Sequence, residues 1–236
     1  MARHPFVDFA DMRNRAYAQL AALAVRPDWV LFLDADEVHG EQLRYIAREI
    51  LPRLGPEIGN VDAYTYHFVG TFRWITDIAR RFVFFRYDPA IHWEHAVHER
   101  AVGLHGGSLV LPYAYHHYGN VLPPAMLAAK WGRYFALGNP VARPPAPEEA
   151  TRDVYLAQAA RVRPYRAPQP HVARATLARV EDEYAAQFAL VDAGFVARRT
   201  VLMRAAATAR ALNEALRVHL RRVEHPSLYR ETTRAR

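Results

Sequence analysis

The stretch DWVLFLDADEV, Asp28 to Val38, decides how the rest of this chain is read. Trp29–Leu33 is an unbroken apolar run, the pattern of a strand covered on both faces of an α/β sheet. Asp34, Asp36 and Glu37 follow within four positions, and carboxylates are costly to bury without partners. Asp34 and Asp36, one residue apart beyond a buried strand, suit joint binding of a divalent cation. Hard oxygen ligands favour Mg²⁺ or Mn²⁺, above all where phosphates complete the coordination. The competing reading is a strand-end turn with exposed acids.

Outward from that stretch, residues 9–25 carry apolar side chains at three-to-four spacing, which predicts a helix with Asp8 as N-cap and Pro27 beyond its end. Glu41–Leu54 is a second amphipathic helix, stopped by Gly55 and Pro56. Ala63–Val69, Phe82–Tyr87 and Leu109–Tyr115 read as strands, the last running into YHHYGN. The first half is thus α-β-α-β-β, with acids and histidines at strand ends, where open α/β sheets bind ligands. After Pro123 the pattern turns helical: Ala125–Leu137, then 172–192 and 196–224, interrupted by NPVARPPAP and RPYRAPQP. Residues 1–122 are therefore expected to form one domain and 123–236 a helical C-terminal region.

Composition bounds the function. Of 236 residues 51% are apolar, so a core is expected, and the absence of cysteine excludes disulfides and thiolate metal sites. The formal charge is +7, almost all of it arginine; Lys130 is the single lysine. Such a bias follows either from genome composition or from attraction to a nucleotide, a phospholipid surface or RNA. No RNA-recognition motif accompanies the arginines, so a specific nucleic-acid partner is not expected. With no signal segment and no apolar run of membrane-spanning length, a cytoplasmic protein is expected, with peripheral contact at the inner membrane face as an option. In the last helix an arginine face opposes an apolar one.

Three protein classes use an acidic pattern like 34–38. An EF-hand loop counted from Asp34 needs glycine and glutamate where His39 and Tyr45 stand, so that reading fails. Asp34-Ala-Asp36-Glu-Val38 also fits the D-x-D-x-[TV] of haloacid-dehalogenase-like phosphatases, with Asp34 as nucleophile, but the later acidic pair of that class is missing. The third resemblance covers residues 6–137. DFADMRNRAYAQLAALAVRPDWVLFLDADEV, FVFFRYDPAIHWEHAVHERAVG and YHHYGN resemble, in order, segments of GT-A glycosyltransferases of family 2.

That resemblance implies a partial GT-A, Rossmann-like mixed sheet and a metal-assisted, inverting transfer from a nucleotide-sugar donor to a glycan, lipid-linked glycan or protein acceptor. It implies Asp36 as the direct Mn²⁺ or Mg²⁺ ligand and Asp34 facing the ribose or a metal-bound water. Arg13 and Asn14 would shape the donor pocket, and Glu37 is read as a surface acid. Glu99 is the candidate base, with His98 orienting it or touching a phosphate. His117 would close the metal site, with His116 as substitute, and Trp74 and Trp93 would stack on an acceptor sugar. Two or three strands that the family carries ahead of the Arg-Asn helix have no counterpart. Trp29–Leu33 is therefore expected to have one open edge, and an inert transferase-like binding module is the alternative.

Overall fold

The computed structural model describes residues 5–139, 162–198, 205 and 208–214. Three long strands organise it: β3 (Ile58–Val69), β4 (Thr71–Arg86) and β7 (Gly107–Asn120). Each is longer than its apolar run predicts, because ladder pairing carries polar positions such as Asp62 and His116 along with the alternating aromatics. β3 and β4 form a hairpin turned at Gly70, whose φ of 71° lies in the left-handed region. β3 pairs β7 in parallel, and the other described ladders of this sheet are antiparallel.

The sheet order is β1-β4-β3-β7-β2, with β8 (Arg163–Pro164) joined to β4. The class is therefore mixed α/β with a mainly antiparallel sheet. β1 (Trp29–Leu31) lies at one end of this order, and β2 (Glu37–Val38) lies at the other. The strand is covered on both faces as expected, Trp29 and Leu31 packing on one cluster and Val30 and Phe32 on another, but its place at the end of the sheet leaves all three β1 residues half-buried and Leu33 exposed. Among the described residues β4 is the one strand that pairs with β1, whose other edge carries no ladder there. On one face of β1 and β4, Trp29, Leu31 and Phe84 line an open, mainly apolar cavity of 370 Å³ together with Leu43, Arg44, Ala47 and Leu51 of the following helical segment.

Asp8 caps helix α1 (Phe9–Ala18) as expected, its carboxylate accepting from Asp11 N at 2.7 Å. A short 3₁₀ turn, Gln19–Ala22, ends that segment before the predicted limit. The second helical segment starts as α2 (Gln42–Tyr45), continues as a π turn over Ile46–Ile50 and closes as 3₁₀ at Leu51–Arg53, where Pro52 lacks the N–H that a regular helix needs. Its Ile46, Ile50 and Leu51 pack on Val61, Val83, Leu111 and Tyr113 of the sheet. A small hairpin, β5 (His92–Glu94) with β6 (Arg100–Val102), stands beside α1.

Beyond residue 122 come α3 (Pro124–Ala136), α4 (Arg174–Glu183) and α5 (Ala185–Arg198); a break at Tyr184 splits the helix expected over 172–192. The linker NPVARPPAP, but for Asn139, lies outside the described residues. So does most of the 196–224 helix. Among the described residues no helix is long and apolar enough to cross a membrane. Leu127, Val162, Val191 and Phe195 share a buried cluster with Val69 and Trp74, so apolar packing joins the two segments expected as separate regions. Asp192 of α5 ties them further by accepting from Thr71 Oγ1 at 3.0 Å and Trp74 Nε1 at 2.7 Å. Asp192→Ala removes the acceptor of both hydrogen bonds, and urea unfolding is expected to read a loss of about 2 kcal/mol.

Candidate functional site

The chain leaves β1 through Phe32 and turns tightly, Glu37 N donating to Asp34 O at 3.0 Å. Two residues then add to the far edge of the sheet, Glu37 opposite His117 and Val38 opposite His116. Tyr118 N donates to Asp36 O at 2.8 Å. The acids therefore sit where the chain passes from one sheet edge to the other, and the backbone fixes Asp36 against β7. This answers why charge follows the apolar run: the acids begin a crossing, not a surface loop.

Asp36 meets partners from two elements, β7 and α3. His117 Nε2 lies 3.3 Å from Oδ1, and Lys130 Nζ, from α3, lies 3.7 Å from Oδ2. Burial alone would raise the Asp36 pKa, but the His117 contact and the Lys130 charge outweigh it and hold the carboxyl below its ordinary value. The approach depends on Gly119: a Cβ there would strike Asp36 Oδ2 and come within 2.8 Å of His117 Nε2. Behind His117, Nδ1 lies 2.9 Å from His67 Nδ1, so one of the two nitrogens donates and the His117 tautomer is coupled to that of His67.

Arg13 holds the second half. Its Nε donates to Glu99 Oε1, its Nη2 donates to Asp34 Oδ1 at 2.6 Å, and its guanidinium lies 3.9 Å over the Phe32 ring. One planar cation thus links α1, the end of β1 and the β5–β6 loop. That loop turns on two left-handed histidines, His95 at φ 72° and His98 at φ 57°. His98 Nε2 lies 2.8 Å from Asn139 Nδ2. It acts as a turn residue that presents Glu99, and the orienting contact on Glu99 comes from Arg13. With side chains of Arg13 and Glu99 both 12% exposed, Arg13→Ala strands a half-buried carboxylate, and chemical denaturation is expected to register a loss of about 3 kcal/mol.

Tyr134, one helical turn beyond Lys130, joins the two halves. Its hydroxyl pKa is raised first by burial, then by the charges of Asp36, Glu99 and Asp34. Asp34 and Asp36 precede β3 and Glu99 follows β4, yet the charges of all three act on one phenol. Glu37, expected at the surface, is half-buried: its Oε2 accepts from Asp34 N at 3.0 Å, and desolvation raises its pKa. Pairing of β2 with β7 draws it in, and that pairing has no signal in two residues of sequence.

Other expectations are corrected. Asn14 spends its amide on the Trp93 backbone, donating to the carbonyl at 2.8 Å and accepting from the N–H at 2.7 Å, so it docks α1 instead of facing a donor pocket. Trp93 is 4% exposed among Tyr17, Phe32 and Phe85, and Trp74 is 7% exposed, so neither offers a face for a sugar. His116 points away from His117, its Nε2 against Tyr165 Oη at 2.6 Å, so it does not substitute for its neighbour. His67 and Tyr134 were not singled out by the sequence. His67 has a signal only in hindsight, as the β3 position opposite His117.

Four carboxylates, Asp34, Asp36, Glu37 and Glu99, stand against two permanent cations in contact with them, Arg13 and Lys130. Among the described residues no three His, Asp or Glu side chains form a metal group by themselves. Asp36 and His117 supply a carboxylate oxygen and an imidazole nitrogen in a cradle that a Cβ at Gly119 would fill. That donor set fits a Mn²⁺ or Mg²⁺ ion taking its remaining ligands from a phosphate and water. A scan against protein-family models finds no match for this chain, and a search of curated proteins finds none.

Proposed function

We propose that the chain is a metal-assisted glycosyltransferase of GT-A type, moving a sugar from a nucleotide donor to a glycan, lipid-linked glycan or protein acceptor. The observation that carries this is a pair of linked groups drawn from four separate segments, Arg13 with Asp34 and Glu99, and Asp36 with His117, which meet at the two aspartates of one turn. Asp36 and His117 would hold a divalent ion, which supplies neutralisation of the leaving diphosphate. His67 orients His117. Arg13 fixes the Glu99 carboxylate, the candidate acceptor of the attacking hydroxyl's proton. Asp34 faces the donor from the other arm of Arg13.

Calorimetric titration with UDP and GDP, with and without Mn²⁺, tests the reading. Saturable, Mn²⁺-dependent binding supports it; no binding of either nucleotide removes it. The open edge of β1 favours one second reading, an inert module that binds without turnover. Donor hydrolysis that is lost in Asp36→Ala but kept in the surface variant Arg53→Ala eliminates that second reading. The phosphatase reading predicts a trapped phosphoryl group on Asp34, whose carboxylate is held by Arg13.

A further inference from the structure

We infer that Lys130 is a diphosphate-binding residue, contacting the terminal phosphate of a nucleoside diphosphate held beside Asp36. The inference rests on the glycosyl-transfer reading and adds to it a ligand contact from outside the strands that carry the acidic motif.

Lys130 is delivered by α3, with its side chain 18% exposed and its Nζ inside the site. The ammonium donates to the Gly119 carbonyl at 2.7 Å and lies 5.8 Å from the centroid of the Tyr134 ring. Asp36 Oδ2, at 3.7 Å, is an ion-pair partner beyond hydrogen-bond distance. An ammonium has three protons, and one is spent on Gly119. Donor capacity is therefore left over, directed at a site rich in acceptors of the same sign.

The chemistry of the ligand follows from charge. A divalent ion on Asp36 and an ammonium beside the same carboxylate repel one another. Both are tolerated together when an anion with several oxygens lies between them, accepting from the ammonium and ligating the metal. A diphosphate does this, and a neutral sugar or nucleoside does not. Residue choice agrees: of 31 basic residues in the chain only this one is lysine. An ammonium is a compact point charge that fits between a carbonyl and a phosphate, whereas guanidinium demands a planar fork.

A single lysine makes the test direct. The unaltered protein is acylated with an amine-reactive acetyl ester at fixed pH, and the Lys130 peptide is followed by mass spectrometry, with the Met1 α-amine as internal control. Mn²⁺ with UDP or GDP is added at about ten times the Kd found by calorimetry, leaving about a tenth of sites free. Lys130 acylation is expected to slow about ten-fold in proportion, with Met1 unchanged and no protection by uridine or guanosine. Nucleotide binding without Lys130 protection overturns this inference and leaves the glycosyl-transfer reading standing. Equal protection by the bare nucleoside overturns it as well. Absence of any nucleotide heat removes both. In a second measurement, Lys130→Gln is expected to weaken UDP or GDP about ten-fold relative to UMP or GMP, as loss of a charge-assisted phosphate contact requires. Equal weakening of both classes assigns Lys130 a purely structural role and overturns the inference.

Discussion

Asp36→Ala is expected to abolish Mn²⁺-dependent nucleotide binding and to lower sugar transfer on the order of 1,000-fold, about 4 kcal/mol of transition-state stabilisation. The size follows from what Asp36 does alone. It is the carboxylate that meets His117 and Lys130, and its own carbonyl is fixed by Tyr118 N. Alanine keeps that backbone bond, so the fold is expected to survive. The partners left behind keep other hydrogen bonds, His117 with His67 and Lys130 with the Gly119 carbonyl. Circular dichroism and the unfolding midpoint should therefore match the parent while binding is lost. Gly119→Ala is the complementary probe. It leaves every acid in place and adds one methyl where Asp36 and His117 approach. The carboxylate can swing away, so stability changes little, but the pair is forced apart and metal-dependent binding is expected to weaken 10- to 100-fold, on the order of effects seen for positioning groups. Unchanged Mn²⁺-dependent binding in both variants would remove Asp36 from the site.

How far the sequence reveals this site depends on which interactions are local. The N-cap at Asp8, the helix of Pro124–Ala136 and the core of β3 and β7 follow from short-range pattern, and they appear close to where that pattern puts them. The DWVLFLDADEV stretch marked the site but misstated its strand. An apolar run packed on both faces suggests a central strand, whereas β1 ends the sheet and its residues stay half-buried between the two clusters they touch. Asp34 follows from the acidic pattern itself, but Arg13 and Glu99 enter only through the family resemblance, since 86 residues separate them. Asn14 and the two tryptophans illustrate the opposite error. Their residue types suit ligands, and only tertiary contacts show that they serve packing, Asn14 and Trp93 where α1 meets β5 and Trp74 where β4 meets α5. Lys130 and Tyr134 lie in an ordinary amphipathic helix, and nothing in its spacing says which face the site takes.

Acid is expected to destabilise the fold through two histidines that the site does not use. His39 and His116 are held neutral by burial, each with its pKa pushed down to about 4. Their geometry explains why. His39 stacks on Tyr115 at 4.3 Å with Nδ1 on Tyr113 Oη, and His116 lies among Tyr66, Phe68, Tyr118 and Tyr165 with Nε2 on Tyr165 Oη. Their other nitrogens, His39 Nε2 and His116 Nδ1, are buried without a hydrogen-bond partner among the described residues, so an added proton finds no acceptor. In the unfolded chain both titrate near the ordinary histidine value, so between there and pH 4 the unfolded state binds more protons. Stability is thus complete above the ordinary value, falls as pH drops through the window, and levels off below about 4. Full desolvation would give roughly 3 kcal/mol for His116, and the part exposure of His39 reduces its share to roughly 2 kcal/mol. Glu37 and Asp62, whose pKa values burial raises, act in the opposite direction as they protonate, and Asp36 adds a loss at lower pH. Differences between variants isolate the histidines. Urea unfolding of His116→Phe and His39→Phe across pH 7.5 to 4 should each give a shallower acid slope than the parent, whatever their stability at pH 7.5. Parallel pH profiles in parent and variants would mean that these rings take up protons alike in the folded and unfolded states.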